Sequence, residues 1–276
     1  WAHGTSVAGL AAAEGNNGLG MIGVAPAAQL ASWVIFTTNG LLVSDERLMD
    51  MFQFQSNVVS VQNHSWGSDK LSQNGPTLLE RIGISNALAF GREGRGGVMV
   101  RAAGNDPNRA NNANANDDGY GSNPLVIAVG AVCVDGRVAG YSKPGACVLV
   151  SAPSGDPDRG FYGLFTTALR AARGASAIPY FSPHETLWDY RADNVAFSGT
   201  SASAPLISGV AALILSVNTN LTYRDVQQIL IHSARQFDPA DPDLTTNGAG
   251  FRVSHNTGFG VPDAGWAVAL ARAWSN

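Results

Sequence analysis

Phe197-Ser198-Gly199-Thr200-Ser201-Ala202-Ser203-Ala204-Pro205 leads directly into an apolar run over 206–217. The pattern predicts a helix that begins beside Ser201. Pro205 is expected in its first turn, where a missing backbone N–H is tolerated. Small neighbours leave the Ser201 hydroxyl open to an approaching carbonyl carbon. A serine hydroxyl is a weak nucleophile until a base takes its proton, so the reading calls for a histidine. His3, in His3-Gly4-Thr5 at the other end of the chain, is the candidate.

Outward from this helix, strand-like and helix-like segments alternate, as in a parallel sheet covered on both faces. Residues 3–13 read as a helix of small residues, 29–36 as a strand and 45–55 as a helix. A short strand over 58–63 runs into His64-Ser65-Trp66-Gly67. Helical spacing returns over 78–91, and buried strands are expected over 97–103 and 125–134. Thr222-Tyr223-Arg224-Asp225 resembles a capping box, with Asp in the place of Glu or Gln, opening a helix to 234. Asp263 is expected to cap a last helix reaching Trp274. The stretch 155–194, rich in Gly, Pro and aromatics, reads as an irregular surface insertion. No internal repeat or linker divides the chain, which predicts one domain over 1–276.

Composition narrows the classes. The 276 residues are 45% hydrophobic, enough for one large α/β core. A net charge of -4 with only 14% charged residues offers neither a nucleic-acid surface nor a polybasic membrane patch. No apolar run reaches the ~20 residues of a bilayer span. Cys133 and Cys147 pair between neighbouring strands or remain two buried thiols; the sequence leaves both open. The remaining histidines, His64, His184, His232 and His255, show no metal-ligand spacing and read as structural. The chain enters a motif by residue 3 with no starting Met, which reads as a fragment or a processed chain.

Three separated pieces fit one chemistry. Acyl transfer needs a nucleophile, a base and a donor aimed at the developing oxyanion. Ser201, His3 and the amide of Asn105, in Arg101-Ala102-Ala103-Gly104-Asn105 at the end of a buried strand, supply them. In this order His-Gly-Thr, Ala-Gly-Asn and Gly-Thr-Ser-Ala-Ser-Ala-Pro resemble the subtilisin superfamily of serine endopeptidases. The logic of its Ser/His/Asp triad is a general one. His64-Ser65-Trp66-Gly67, Asp118-Gly119-Tyr120, Leu221-Thr222-Tyr223-Arg224-Asp225 and Val253-Ser254-His255-Asn256-Thr257-Gly258-Phe259-Gly260 are similar to the kexin and proprotein-convertase branch. So is the closing Pro262-Asp263-Ala264-Gly265-Trp266-Ala267-Val268-Ala269-Leu270.

The resemblance implies a three-layer α/β/α sandwich with a mainly parallel sheet and its site at strand C-terminal ends. It implies cleavage of protein or peptide substrates in a secreted or extracytoplasmic setting, with an N-terminal propeptide or N-terminal segment as a further partner. The family's catalytic Asp lies in an Asp-Ser/Thr-Gly motif before the histidine, and this chain starts two residues before His3. The polypeptide alone is therefore expected to be nearly inactive, as an N-terminally truncated piece of a protease. A silent binding domain and a peptide-joining transpeptidase remain as alternatives.

By the same resemblance Ser65, Trp66 and Gly67 line the cleft and bond the substrate backbone. Asp118 and Tyr120 belong to a pocket for the side chain preceding the cut (P1), so Arg or Lys is expected there. Only Asp69 remains of an acidic run after Gly67, and Lys143 stands where the family has a glutamate beside a second calcium. That second ion is not expected. The loop Glu14-Gly15-Asn16-Asn17-Gly18-Leu19-Gly20-Met21 is expected to hold structural Ca²⁺ through the Asn17 side chain and the backbone oxygens of Glu14, Leu19 and Met21.

Overall fold

The computed structural model describes residues 3–37, 40–41, 43–67, 72–106, 113–168, 190–191 and 197–275. A four-stranded parallel sheet lies at its centre. In spatial order it comprises β1 (Val61–His64), β2 (Val98–Ala102), β3 (Ile127–Val132) and β4 (Val148–Pro153). Val61 pairs with Val98, His64 with Arg101 and Val100 with Ile127. Every residue of β2 and β3 is buried, which explains their nearly unbroken apolar sequence.

One face of the sheet is covered by α4 (Thr200–Val217), which packs on all four strands. Around it lie α1 (His3–Ala12), α5 (Tyr223–Ser233) and α6 (Ala264–Ala273). Ile207, Ile214, Ile229 and Leu230 interlock there with Val100, Val129 and Val150. Burying side chains of this kind stabilises the fold by roughly 1.5–3 kcal/mol each. The opposite face carries α2 (Asp45–Gln53) and α3 (Leu78–Gly94), whose Phe52, Ile84 and Leu88 pack around Met99. These are the three layers expected. α4 is also long and apolar enough to cross a membrane, but two thirds of it is buried against this core.

The expected caps form. Thr222 accepts from the Asp225 N–H while its own N–H donates to the Asp225 carboxylate, and Asp263 accepts from the Trp266 N–H. Asp serves in the box because its carboxylate still reaches back to Thr222 at 2.7 Å. The regular helical backbone of α3 stops before Gly91, where three successive residues leave helical geometry.

Two expectations change. Residues 29–35 form no strand; only Phe36–Thr37 pairs, with Gly40–Leu41. A strand forms only against a neighbour that takes its backbone groups, and no described strand lies beside 29–35. Strand β4 was not foreseen. The described part of 155–194, exposed or half-buried over most of 157–168, is anchored to α1. Thr166–Thr167 pairs with Tyr190–Arg191, and the buried Thr166 and its neighbour Thr167 donate hydroxyl hydrogen bonds to the Ser6 and Thr5 carbonyls of α1. Residues 169–189 and 192–196 lie outside the described residues, His184 among them. Cys133 and Cys147 are free thiols, and burial pushes both up to about 11.

Candidate active site

Chain segments leaving β1 and β2 at their C-terminal ends meet the start of α4 around a cavity of about 170 Å³. Trp66, Gly67, Gly104, Asn105, Asn114, Asp118, Lys143, Thr200 and Ser201 all line it. Parallel strands open their C-terminal ends toward such crevices, so residues distant in sequence converge there.

Ser201 is the second residue of α4, and its hydroxyl donates to the Ser65 carbonyl at 3.1 Å. The Ser65 hydroxyl donates in return to the Ser201 carbonyl at 2.9 Å. The second bond has a cause in Pro205. Pro205 is the sixth residue of the helix, not a first-turn residue as expected. Lacking an N–H, it cannot bond the carbonyl four residues back, which belongs to Ser201. Ser65 fills that vacancy and so ties the end of β1 to the nucleophile's backbone.

Asn105 is fixed from the same helix end. Its Oδ1 accepts from the Thr200 N–H and from the Thr200 hydroxyl, both at 2.9 Å. The Thr200 oxygen itself accepts from the Gly104 N–H. With its oxygen occupied, Asn105 has Nδ2 left to donate. Gly199, capping α4 at φ 93°, is needed twice over: the conformation is left-handed, and a Cβ there would stand 3.1 Å from Asn105 Nδ2.

His3 opens α1, which packs against α4. Its ring meets Phe197 edge-on at 5.2 Å, and partial desolvation lowers its pKa below the ordinary 6.5, favouring the neutral imidazole. A neutral imidazole is the form able to accept a proton.

The pocket wall departs from expectation. Asp118 does line the cavity, but its carboxylate is fully occupied. Oδ1 accepts from the Tyr120 and Gly121 N–H groups at 3.0 and 3.1 Å. Oδ2 accepts from Arg101 Nε and Nη2 at 2.9 and 2.5 Å. Tyr120 lies behind the wall in the core, touching Phe52, His64 and Trp66, with its hydroxyl on His64 Nδ1. Arg101 was not foreseen as a site residue. The signal was present: a charge inside Val98-Met99-Val100-Arg101-Ala102 must find a partner once the strand is buried. Asp69 lies outside the described residues.

In the 14–21 loop, the Asn17 side-chain oxygen accepts from the Leu19 N–H at 2.9 Å, which leaves it a second lone pair. Among the described residues no three of His, Cys, Asp and Glu gather as a metal cluster. A cation at this loop would rest on amide and carbonyl oxygens, donors that suit a hard ion such as Ca²⁺. His255 instead pairs with Asp243 at the surface, and His232 meets Phe251 edge-on.

Fold and cavity together define an α/β domain of the subtilisin-like class. The chain belongs to the subtilase family, whose Peptidase S8 profile matches residues 1–260. Among curated relatives, proprotein convertase subtilisin/kexin type 7 of Mus musculus is 32% identical over 99% of this chain and 33% of its own length. Furin of Homo sapiens is 31% identical over 99% of the chain and 31% of its own length. The chain thus spans about a third of these relatives. In structure, the serine protease of Aeromonas sobria superposes with a TM-score of 0.86 at 24% identity, over 99% of this chain and 54% of that one. Fervidolysin of Fervidobacterium pennivorans gives 0.69 at 26% identity, over 97% and 36%.

Proposed function

We propose that the protein containing this domain hydrolyses peptide bonds in protein or peptide substrates as a serine endopeptidase, through a Ser/His/Asp triad whose Asp comes from outside residues 1–276. Ser201 attacks the carbonyl carbon, His3 takes the hydroxyl proton and returns it to the leaving amine, and Asn105 Nδ2 donates to the oxyanion. The observation that carries the reading is the Asn105 amide, anchored by its oxygen to the N-terminus of α4 and bordering the same cavity as Ser201. An oxyanion donor held this way needs no reorganisation as charge develops. For the proton to leave, the Ser201 hydroxyl turns from the Ser65 carbonyl toward His3. The substrate backbone runs along Trp66–Gly67, the segment that leaves the sheet at the cavity. The subtilase profile and the convertase and furin relatives support protein substrates.

Cleavage after Arg or Lys is not part of this proposal. That expectation rested on Asp118, whose carboxylate is bonded to Arg101. Calcium at the 14–21 loop, held by Asn17 Oδ1 with the backbone oxygens of Glu14, Leu19 and Met21, is. Bound there, the ion would brace the loop that follows α1 and so the helix carrying His3. An extracytoplasmic location, where millimolar Ca²⁺ satisfies weak oxygen sites, accompanies it.

The test is labelling of the intact protein with a serine-directed organophosphorus reagent, together with cleavage of a denatured protein substrate. Label on Ser201, with both label and cleavage lost in Ser201→Ala, is the expected result. Unlabelled Ser201 and no cleavage would leave a domain that only binds, whereas joined rather than hydrolysed peptides would identify a transpeptidase.

A further inference from the structure

The side chain just before the bond attacked by Ser201 must enter the cavity beside it, so the charges on the cavity wall decide which P1 residues are accepted. This inference rests on the endopeptidase reading. Asp118 is the carboxylate among the described lining residues, and Lys143 is a cation on the same wall. Lys143 is 5% exposed, and its stem reaches within 2.9 Å of where a Cβ on Gly104 would stand.

Behind Asp118 stands Arg101, 3% exposed at the end of β2. Its guanidinium carbon lies 4.4 Å from the centroids of both Trp66 and Tyr120, so two rings hold it against the carboxylate. An ionised carboxylate offers about four acceptor positions. Two backbone N–H groups and two guanidinium N–H groups use all four at Asp118. A P1 Arg or Lys arriving here would find no vacant acceptor on Asp118. It would be a second cation beside Arg101, which already holds that carboxylate. Leaving its charge desolvated without a partner is costly.

We infer that Arg101 is a specificity-determining residue: by neutralising Asp118 from behind, it makes the P1 cavity reject basic side chains and accept uncharged ones. Arg101 itself touches no reacting atom. It acts through Asp118, so its removal should alter the choice of substrate more than the rate on a neutral one.

A matched pair of peptides tests this, identical except for lysine or norleucine at P1, which differ in charge at nearly equal length. A full P1 library is cleaved alongside. The intact protein should cleave the norleucine peptide at least about tenfold better in kcat/KM, and Arg and Lys should rank low in the library. Arg101→Met should move the ratio toward lysine by about tenfold or more, with the change on the lysine peptide. Removing Arg101 leaves a partly buried carboxylate unpaired and can unfold the variant. The wild-type ratio therefore decides by itself: a preference for lysine overturns the inference. An unchanged ratio in a folded Arg101→Met also overturns it. Failure of this inference alone looks like cleavage after Arg or Lys with Ser201 labelled. Failure of the endopeptidase reading, and the inference with it, looks like no cleavage of any peptide and no label.

Discussion

At the scale of single residues, His64 is the clearest case of an environment overriding a side chain's ordinary chemistry. It lies at the end of β1, buried, bonded to the Tyr120 hydroxyl and aligned with Arg101 on the next strand. Burial first, and the positive charge of Arg101 second, lower its pKa to about 3. In the unfolded chain it would titrate near ~6.5. Below that pH the unfolded state therefore holds a proton that the folded state refuses. Stability is fully present above pH 6.5 and falls as the pH drops toward the folded value, by up to about 1.4 kcal/mol per pH unit. Thermal midpoints measured between pH 6.5 and 5, above most carboxylate titrations, should decline, and His64→Gln should flatten the decline. Equal slopes in the two proteins would show that His64 does not carry it. That His64 is structural could be read from its lack of metal-ligand spacing. That it is held neutral depends on Tyr120 and Arg101, which are distant in sequence.

At the scale of elements, α4 shows how a local irregularity is used. Its sequence announces a helix beginning near Ser201, and it begins there. Pro205, though, falls within the helix body, where proline generally costs about 3 kcal/mol through a lost bond and a clash. The orphaned carbonyl is that of the proposed nucleophile, and Ser65 from the end of β1 satisfies it. Ser65→Ala should lower stability by about 1–2 kcal/mol, the cost of a buried acceptor left unsatisfied. It should also reduce kcat more than it raises KM, because the backbone under Ser201 loses its tie to the sheet. Denaturant unfolding and steady-state kinetics check the two parts separately, and a variant indistinguishable from wild type in both would show the bond to be incidental. The caps at Thr222 and Asp263 were legible because their bonds span only three residues. The Ser65–Ser201 exchange spans 136 and had no local signal.

At the scale of the whole molecule, the helix bearing His3 is held from two sides. Thr166 and Thr167 bond its carbonyls, and the Asn17 loop follows it. A cation bound there only in the folded state would add RT ln(1 + [L]/Kd) of stability, about 2.7 kcal/mol at a hundredfold excess over Kd. Excess chelator should therefore lower the thermal midpoint of the intact protein, added Ca²⁺ should restore it, and Asn17→Ala should remove most of the difference. A melting curve that chelator leaves unchanged would rule out a folded-state site of useful affinity.

What the sequence determined by itself was whatever depends on period, capping and short motifs. The alternation of apolar segments implied the three layers. The motifs around His3, Asn105 and Ser201 named the candidate chemistry, and Thr222 and Asp263 marked two helix starts. Only the tertiary structure decided the contacts that join distant segments. Residues 29–35 needed a neighbouring strand to become one, Pro205 needed Ser65, and the charge of Asp118 was settled by Arg101. The physical reason is the same in each case. Helix propensity and capping act within a turn of chain, whereas the fate of a carbonyl, a strand edge or a carboxylate depends on which partner the fold brings within about 3 Å.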